Sequence, residues 1–168
     1  MKKHLIYLLT ASAAFATIDG DRPDLNVDEI DVIKPHRLVY DSCPYAHDVI
    51  AATIIMEAGG EYHVGALEGV YEVIMNRAKK RNKTPAQVCL QRKQFSCWNG
   101  KADGIKALED TIALAKKHPR WKIATNVIGS QTNYTKGADH YYADYIAEPY
   151  WASSMTRTVK IGKHIFFK

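Results

Sequence analysis

Neither His-Glu-x-x-His nor a Cys-x-x-Cys pair occurs in the 168 residues, so two common signatures of a bound zinc are missing. Seven histidines are present, but His36, His47, His63, His118 and His164 are scattered singly, as surface or hydrogen-bonded core groups usually are. No metal site is expected. Nor is there a stripe of Lys and Arg interleaved with aromatics; Lys79-Lys80-Arg81 and Lys83 look like the polar end of a helix entering a loop, and nucleic acid is not an expected partner. Internal repeats and low-complexity tracts are absent. No apolar run approaches the roughly 20 residues that span a bilayer. The stretch from Leu5 to Phe15 follows Met1-Lys2-Lys3 and runs into Ala14-Phe15-Ala16, the pattern of a secretory signal peptide over residues 1–16, cleaved after Ala16. Export to the periplasm, envelope or exterior follows, without stable membrane insertion. Cysteine is scarce too. Cys89 and Cys97 are close enough to close a short loop, Cys43 can substitute for either, and spacing alone does not fix a pairing.

What is present favours one domain. The 46% hydrophobic content and dispersed charge suit a globular core, and the formal charge of +5 falls to about +3 once Lys2 and Lys3 are removed, a mild pull toward anionic surfaces. Residues 17–45 read as an extended leader rich in Asp and Pro. A helical pattern begins at Ala46 and stops at Gly59-Gly60. From Val64 to Lys80, Leu67, Val70, Tyr71, Ile74, Met75 and Ala78 recur at helical spacing and give one apolar face. Thr84 and Pro85 form a helix start, and a further helix runs from about Ile105 to Lys117. Residues 129–149 read as a long loop, and the segments around Ile161-Gly162-Lys163 as a small hairpin. The expected fold is α+β, mostly α, with a hairpin near the C-terminus and a catalytic domain over residues 46–168.

Three stretches carry chemistry. Glu57 follows the apolar run Val49 to Ile55, and a carboxyl so placed is partly desolvated, which raises its pKa and suits it to donate a proton. Cleaving a glycosidic bond needs such a donor. If the helix continued, Glu61 would lie roughly 5–6 Å from Glu57 at the Cβ atoms and could pair with it, but Gly59-Gly60 opposes continuity. In Gln94-Phe95-Ser96-Cys97-Trp98, an amide and an aromatic face suit a sugar ring, with Phe95 better placed in the core. The same Ser-Cys-Trp invites a cysteine peptidase with Cys97 as nucleophile and His140 as base; the interval between them is far shorter than in papain-like enzymes. Asp139-His140-Tyr141-Tyr142 clusters polar-tipped aromatics on irregular backbone, apt either to bind a ligand or to plug the core.

The segments IIMEAGGEYHVGALEGVYEVIMNRA, VCLQRKQFSCW, ADHYYA and PYWASSMTRTVKIGKHIFF, in that order, resemble the cell wall hydrolases of the SleB/CwlJ type, typified by spore cortex-lytic enzymes. The resemblance spans about residues 47–168. It implies a lysozyme-like, lytic transglycosylase-related fold that cuts peptidoglycan glycan strands and needs no organic cofactor. It makes Glu57 the catalytic acid, with Glu61, Asn76, Arg77, Gln94, Ser96, His140 and Tyr141 as cleft or supporting residues; Trp98, Asp139 and Tyr142 join them as candidates for substrate contact. Two positions depart from the family pattern. Gly59 stands where an Arg is usual, and Asp139 where a Thr is common before the His-Tyr pair. The reading expected is glycan cleavage between N-acetylmuramic acid and N-acetylglucosamine by a transglycosylase, with a muramidase using Glu61 or Asp139 as second carboxylate, the cysteine peptidase, and a non-catalytic glycan-binding protein as alternatives.

Overall fold

The computed structural model of the chain describes residues 45–101 and 104–168. The expected signal peptide, residues 17–44 of the expected leader and Cys43 lie outside the described residues, and Tyr45, assigned to that leader, instead opens the first helix.

Helix α1 (Tyr45–Ala58) is apolar on nearly every side, with Val49, Ile50, Ala51, Ala52, Ile54 and Ile55 all buried. A helix of that kind belongs at the centre of a domain. It touches α2 (Val64–Arg81), α3 (Pro85–Leu90), α4 (Ile105–Lys116) and α5 (Trp121–Val127). It ends where Gly59 donates its N–H to the Ile55 carbonyl at 2.8 Å and the chain turns away. A side chain at Gly59 would meet that same carbonyl, its Cβ only 2.4 Å away, with the His118 imidazole at 3.2 Å. No arginine fits where the resemblance would have placed one.

Helix α2 starts at His63, whose Nδ1 accepts the Gly65 N–H at 3.0 Å, and stops at Asn82 in the left-handed conformation, φ 50°. Thr84 caps α3 and Pro85 lies in its first turn, as expected, and Gln87 completes a capping box. Helix α5 had no forecast in the sequence.

The expected hairpin is present as β2 (Arg157–Ile161) and β3 (His164–Phe167), with Gly162 at φ +57° in its turn. It is part of something larger. Residues 140–143, read from sequence as loop, form strand β1 (His140–Ala143), which pairs antiparallel with β3 to give the order β1-β3-β2. The loop reading failed because β1 has four residues, too few to display alternation, and its partner lies over twenty residues further on. Helix α2 joins the helical core to this sheet through Val73, which packs with Ala138 and the fully buried Phe166. Gly69 allows that approach, since a Cβ there would come within 2.7 Å of the Phe166 ring.

Candidate active site

Glu57 occupies the last turn of α1, half-buried, one residue before the helix ends. Three groups from three other elements meet its carboxylate. The Tyr141 hydroxyl of β1 donates to Oε2 at 2.9 Å. The Cys97 thiol, from the short 3-10 turn Ser96–Trp98, lies beside the same carboxyl and favours its anion, as does the charge of the Arg77 guanidinium of α2. Burial raises the Glu57 pKa above its ordinary 4.5, against the opposing effects of Tyr141, Arg77 and Cys97. The negative end of the α1 dipole works in the same direction as burial, because it disfavours negative charge. Tyr141, pushed well above its ordinary value by burial and then by Glu57, remains a donor throughout the neutral range.

Arg77 is held rigidly. Its Nε donates to the Asp139 carbonyl at 2.7 Å, its Nη1 to the Gln94 carbonyl at 3.4 Å, and its guanidinium stacks over Phe95 with 5.2 Å to the ring centroid. One buried cation therefore ties α2 to the segment before the 3-10 turn and to the entrance of β1. Arg81 adds a second tie, donating to the side-chain oxygens of Gln91 at 3.1 Å and Gln94 at 2.6 Å.

Strand alternation divides the aromatic cluster. Tyr141 lies on the inner face, edge-on to His164 at 5.0 Å and beside Phe166 at 5.6 Å between centroids. His140 and Tyr142 lie on the outer face, against Trp151 at 5.2 and 6.0 Å, where Tyr142 also stacks on Phe167 at 5.6 Å. Of the three consecutive candidates, only Tyr141 reaches Glu57.

Several candidates sit elsewhere. Trp98 is not a sugar-stacking face: it is 2% exposed, and its indole N–H donates to Thr53 Oγ1 at 2.9 Å, so it belongs to the core and fastens the 3-10 turn to α1. Asp139 is 6% exposed and already engaged, taking Lys80 Nζ on one oxygen at 2.6 Å and His140 Nδ1 on the other at 2.7 Å. Burial alone would raise its pKa, but the hydrogen bonds from Lys80 and His140 hold the carboxyl below its ordinary value. Glu61 turns to the hairpin, where a side chain at residue 162 would come within 2.6 Å of its carboxylate. The helical Glu57–Glu61 pair does not form because α1 ends between them. Asn76 donates to the Ala138 carbonyl at 2.8 Å and borders a shallow pocket shared with Tyr71, Glu72, Met75, Ser130, Thr132 and Asn133. Gln94 is half-exposed and Ser96 exposed at the start of the 3-10 turn.

Cys89 and Cys97 are free thiols. Burial pushes Cys89 up to about 12 and drives Cys97 higher still, with the Glu57 charge adding to the effect on Cys97. A thiol so disfavoured as an anion is a poor nucleophile, and the nearest histidine expected to serve it, His140, is taken by Asp139. Among the described residues no group of His, Cys, Asp and Glu is arranged to hold a metal.

Sequence reasoning missed Glu72. Its buried carboxylate accepts the N–H groups of Tyr134 and Thr135, both at 2.8 Å, and the Thr135 hydroxyl at 2.5 Å, anchoring the loop that leads into β1. A glutamate in the middle of an apolar helix face was the available signal.

Residues 60–167 match the family model described as Cell Wall Hydrolase, and the chain belongs to that family. It is an enzyme of cell wall degradation. The match begins just beyond Glu57. Among solved structures, the chain is similar to the catalytic domain of the germination-specific lytic transglycosylase SleB from Bacillus anthracis, at 23% identity and a TM-score of 0.58, over 74% of this chain and 95% of that one. It is also similar to the catalytic domain of the Bacillus cereus SleB protein, at 21% identity and a TM-score of 0.50, over 73% and 91%. These likenesses carry the fold, and the mostly helical, lysozyme-like architecture stands on them. Comparison with curated proteins gives no match.

Proposed function

We propose that the enzyme cleaves peptidoglycan glycan strands between N-acetylmuramic acid and N-acetylglucosamine as a lytic transglycosylase, with Glu57 as both acid and base. The observation that carries this reading is the isolation of Glu57 among the carboxylates that sequence put forward. Its pKa is raised and it is cradled by Tyr141, Cys97 and Arg77, while Asp139 is saturated and Glu61 faces the hairpin. A muramidase needs a second carboxylate as nucleophile or water-activating base. A transglycosylase does not.

Protonated Glu57 gives its proton to the glycosidic oxygen as that bond breaks, and the leaving sugar departs as an alcohol. Positive charge develops at the anomeric carbon of the muramic acid. The Glu57 carboxylate, stabilised by the Tyr141 hydroxyl and the Arg77 charge, then takes the proton from the 6-hydroxyl of that residue as its oxygen attacks the anomeric carbon. The product is a 1,6-anhydro sugar and the enzyme regains its proton. Exposed Ser96 and half-exposed Gln94 border this site through the 3-10 turn and are proposed to meet the strand. Trp151, with His140 and Tyr142, offers an aromatic surface on the outer face of the sheet for a more distant part of it.

Peptidoglycan as substrate places the enzyme in the envelope or outside the cell, with the signal peptide proposed at residues 1–16 as its route. No helix among the described residues is long and apolar enough to cross a membrane. The test is digestion of purified sacculi by the wild type and Glu57→Gln, with products weighed by mass spectrometry. Anhydro ends formed only by the wild type are expected; reducing ends, which are heavier by one water, would replace this reading by the muramidase.

A further inference from the structure

The 3-10 turn Ser96–Trp98 has a place in the site that neither nucleophilic catalysis nor a disulfide accounts for. Trp98 is bolted to Thr53 at 2.9 Å, and Thr53 stands four residues before Glu57, on the same face of α1. Thr53 is itself fixed, donating to the Val49 carbonyl at 2.8 Å. The neighbouring residue in the turn, Cys97, is half-buried, a free thiol, and close enough to the Glu57 carboxyl for each group to act on the other's ionisation. The bolt thus sets how far Cys97 lies from the acid.

We infer that Cys97 is a positioning residue for the acid: its thiol, held against α1 by the Trp98–Thr53 hydrogen bond, donates to the Glu57 carboxylate and fixes its orientation jointly with Tyr141. This rests on Glu57 being the proton donor. The two donors come from separate elements, the 3-10 turn and β1. The Cys97 thiol remains protonated across the working range, because burial and the Glu57 charge both oppose its ionisation. It therefore serves as a constant, weak donor that never competes as an anion. The charged and titratable groups facing Glu57 are Tyr141 from β1, Arg77 from α2, Cys97 from the turn and, more remotely, Cys89 from α3. Of these, Tyr141 hydrogen-bonds to the carboxyl at 2.9 Å.

Removing a donor from an ionised carboxylate raises its pKa. For an enzyme that needs Glu57 protonated, kcat/KM falls as pH rises through that pKa, so the alkaline limb should move to higher pH when the donor is lost. The experiment measures pH profiles of sacculus digestion for the wild type, Cys97→Ala, Cys97→Val and Cys97→Ser, with Glu57→Gln as control. Both apolar variants should shift the limb upward and lower kcat about fivefold at nearly constant KM, the share of a weak donor. Cys97→Ser, which keeps a hydroxyl donor, should return the limb to the wild-type position or below it. Cys97→Val preserves apolar volume if the alanine variant proves unstable. Apolar variants whose profiles superimpose on the wild type, or a serine variant that behaves like alanine, would overturn the inference while leaving Glu57 in place. A Glu57→Gln protein with normal turnover would instead remove the acid itself.

Discussion

On the proposed mechanism a single carboxyl group releases a proton and takes another back, so its surroundings have to tolerate both charge states. Glu57 meets this with burial on one side and donors on the other: burial favours the acid, while Tyr141 and Arg77 soften the cost of the anion. Glu57→Gln should lower turnover about a thousandfold with the fold intact, because an amide has no comparable proton to give. Activity on sacculi with far-ultraviolet circular dichroism as a fold check decides this. Tyr141→Phe removes a stronger donor than Cys97 and should cost roughly 10–100-fold in kcat/KM, with the alkaline limb displaced upward. A Tyr141→Phe profile that loses rate without moving its limb would leave the phenol a structural role only.

At the level of elements, the site is assembled by ties between short segments. The Trp98–Thr53 bond joins the 3-10 turn to α1, and Arg77 joins α2 to two backbone carbonyls that precede the turn and β1. Thr53→Val keeps the volume at residue 53 but strands a buried indole N–H, and should cost about 1–3 kcal/mol in urea unfolding. A variant as stable as the wild type would show that the turn is held by packing alone. The long helices were legible in sequence, since their apolar spacing and the stop of α1 at Gly59-Gly60 are local properties. Glu57, the proposed acid, was also signalled locally, by its place after the largely apolar run Val49 to Ile55. What the sequence hid depends on distant partners: β1 needs β3 to be a strand, and the division of His140, Tyr141 and Tyr142 between two faces exists only once that pairing forms. Trp98 misled for a related reason. An indole suits a sugar or a core equally, and a threonine 45 residues earlier decided the matter.

Across the whole molecule, the opposing demands on its carboxylates appear as pH-dependent stability. Glu57 has a folded pKa above 4.5, so it binds its proton more tightly when folded; its contribution favours the fold below 4.5 and is lost as pH rises through the folded value. Asp139 runs the other way, contributing above its ordinary 3.8 and losing that contribution as pH falls through its depressed folded value. Glu57→Gln should therefore melt a few degrees above the wild type, on the order of 2–4 °C, at pH 7, and the gap should close below pH 4.5. Melting curves at the two pH values test it, and a gap indifferent to pH would mean that glutamine stabilises by some route other than relieving a buried charge.

The strand order has one more consequence. Because β3 lies between β1 and β2, neither outer strand has a neighbour until His164–Phe167 is in place. A chain stopped before His164 would keep every helix sequence and Glu57 yet have nothing to hold Tyr141 against that carboxyl, so β3 acts as a latch that brings the two together only after the segments before it have been laid down.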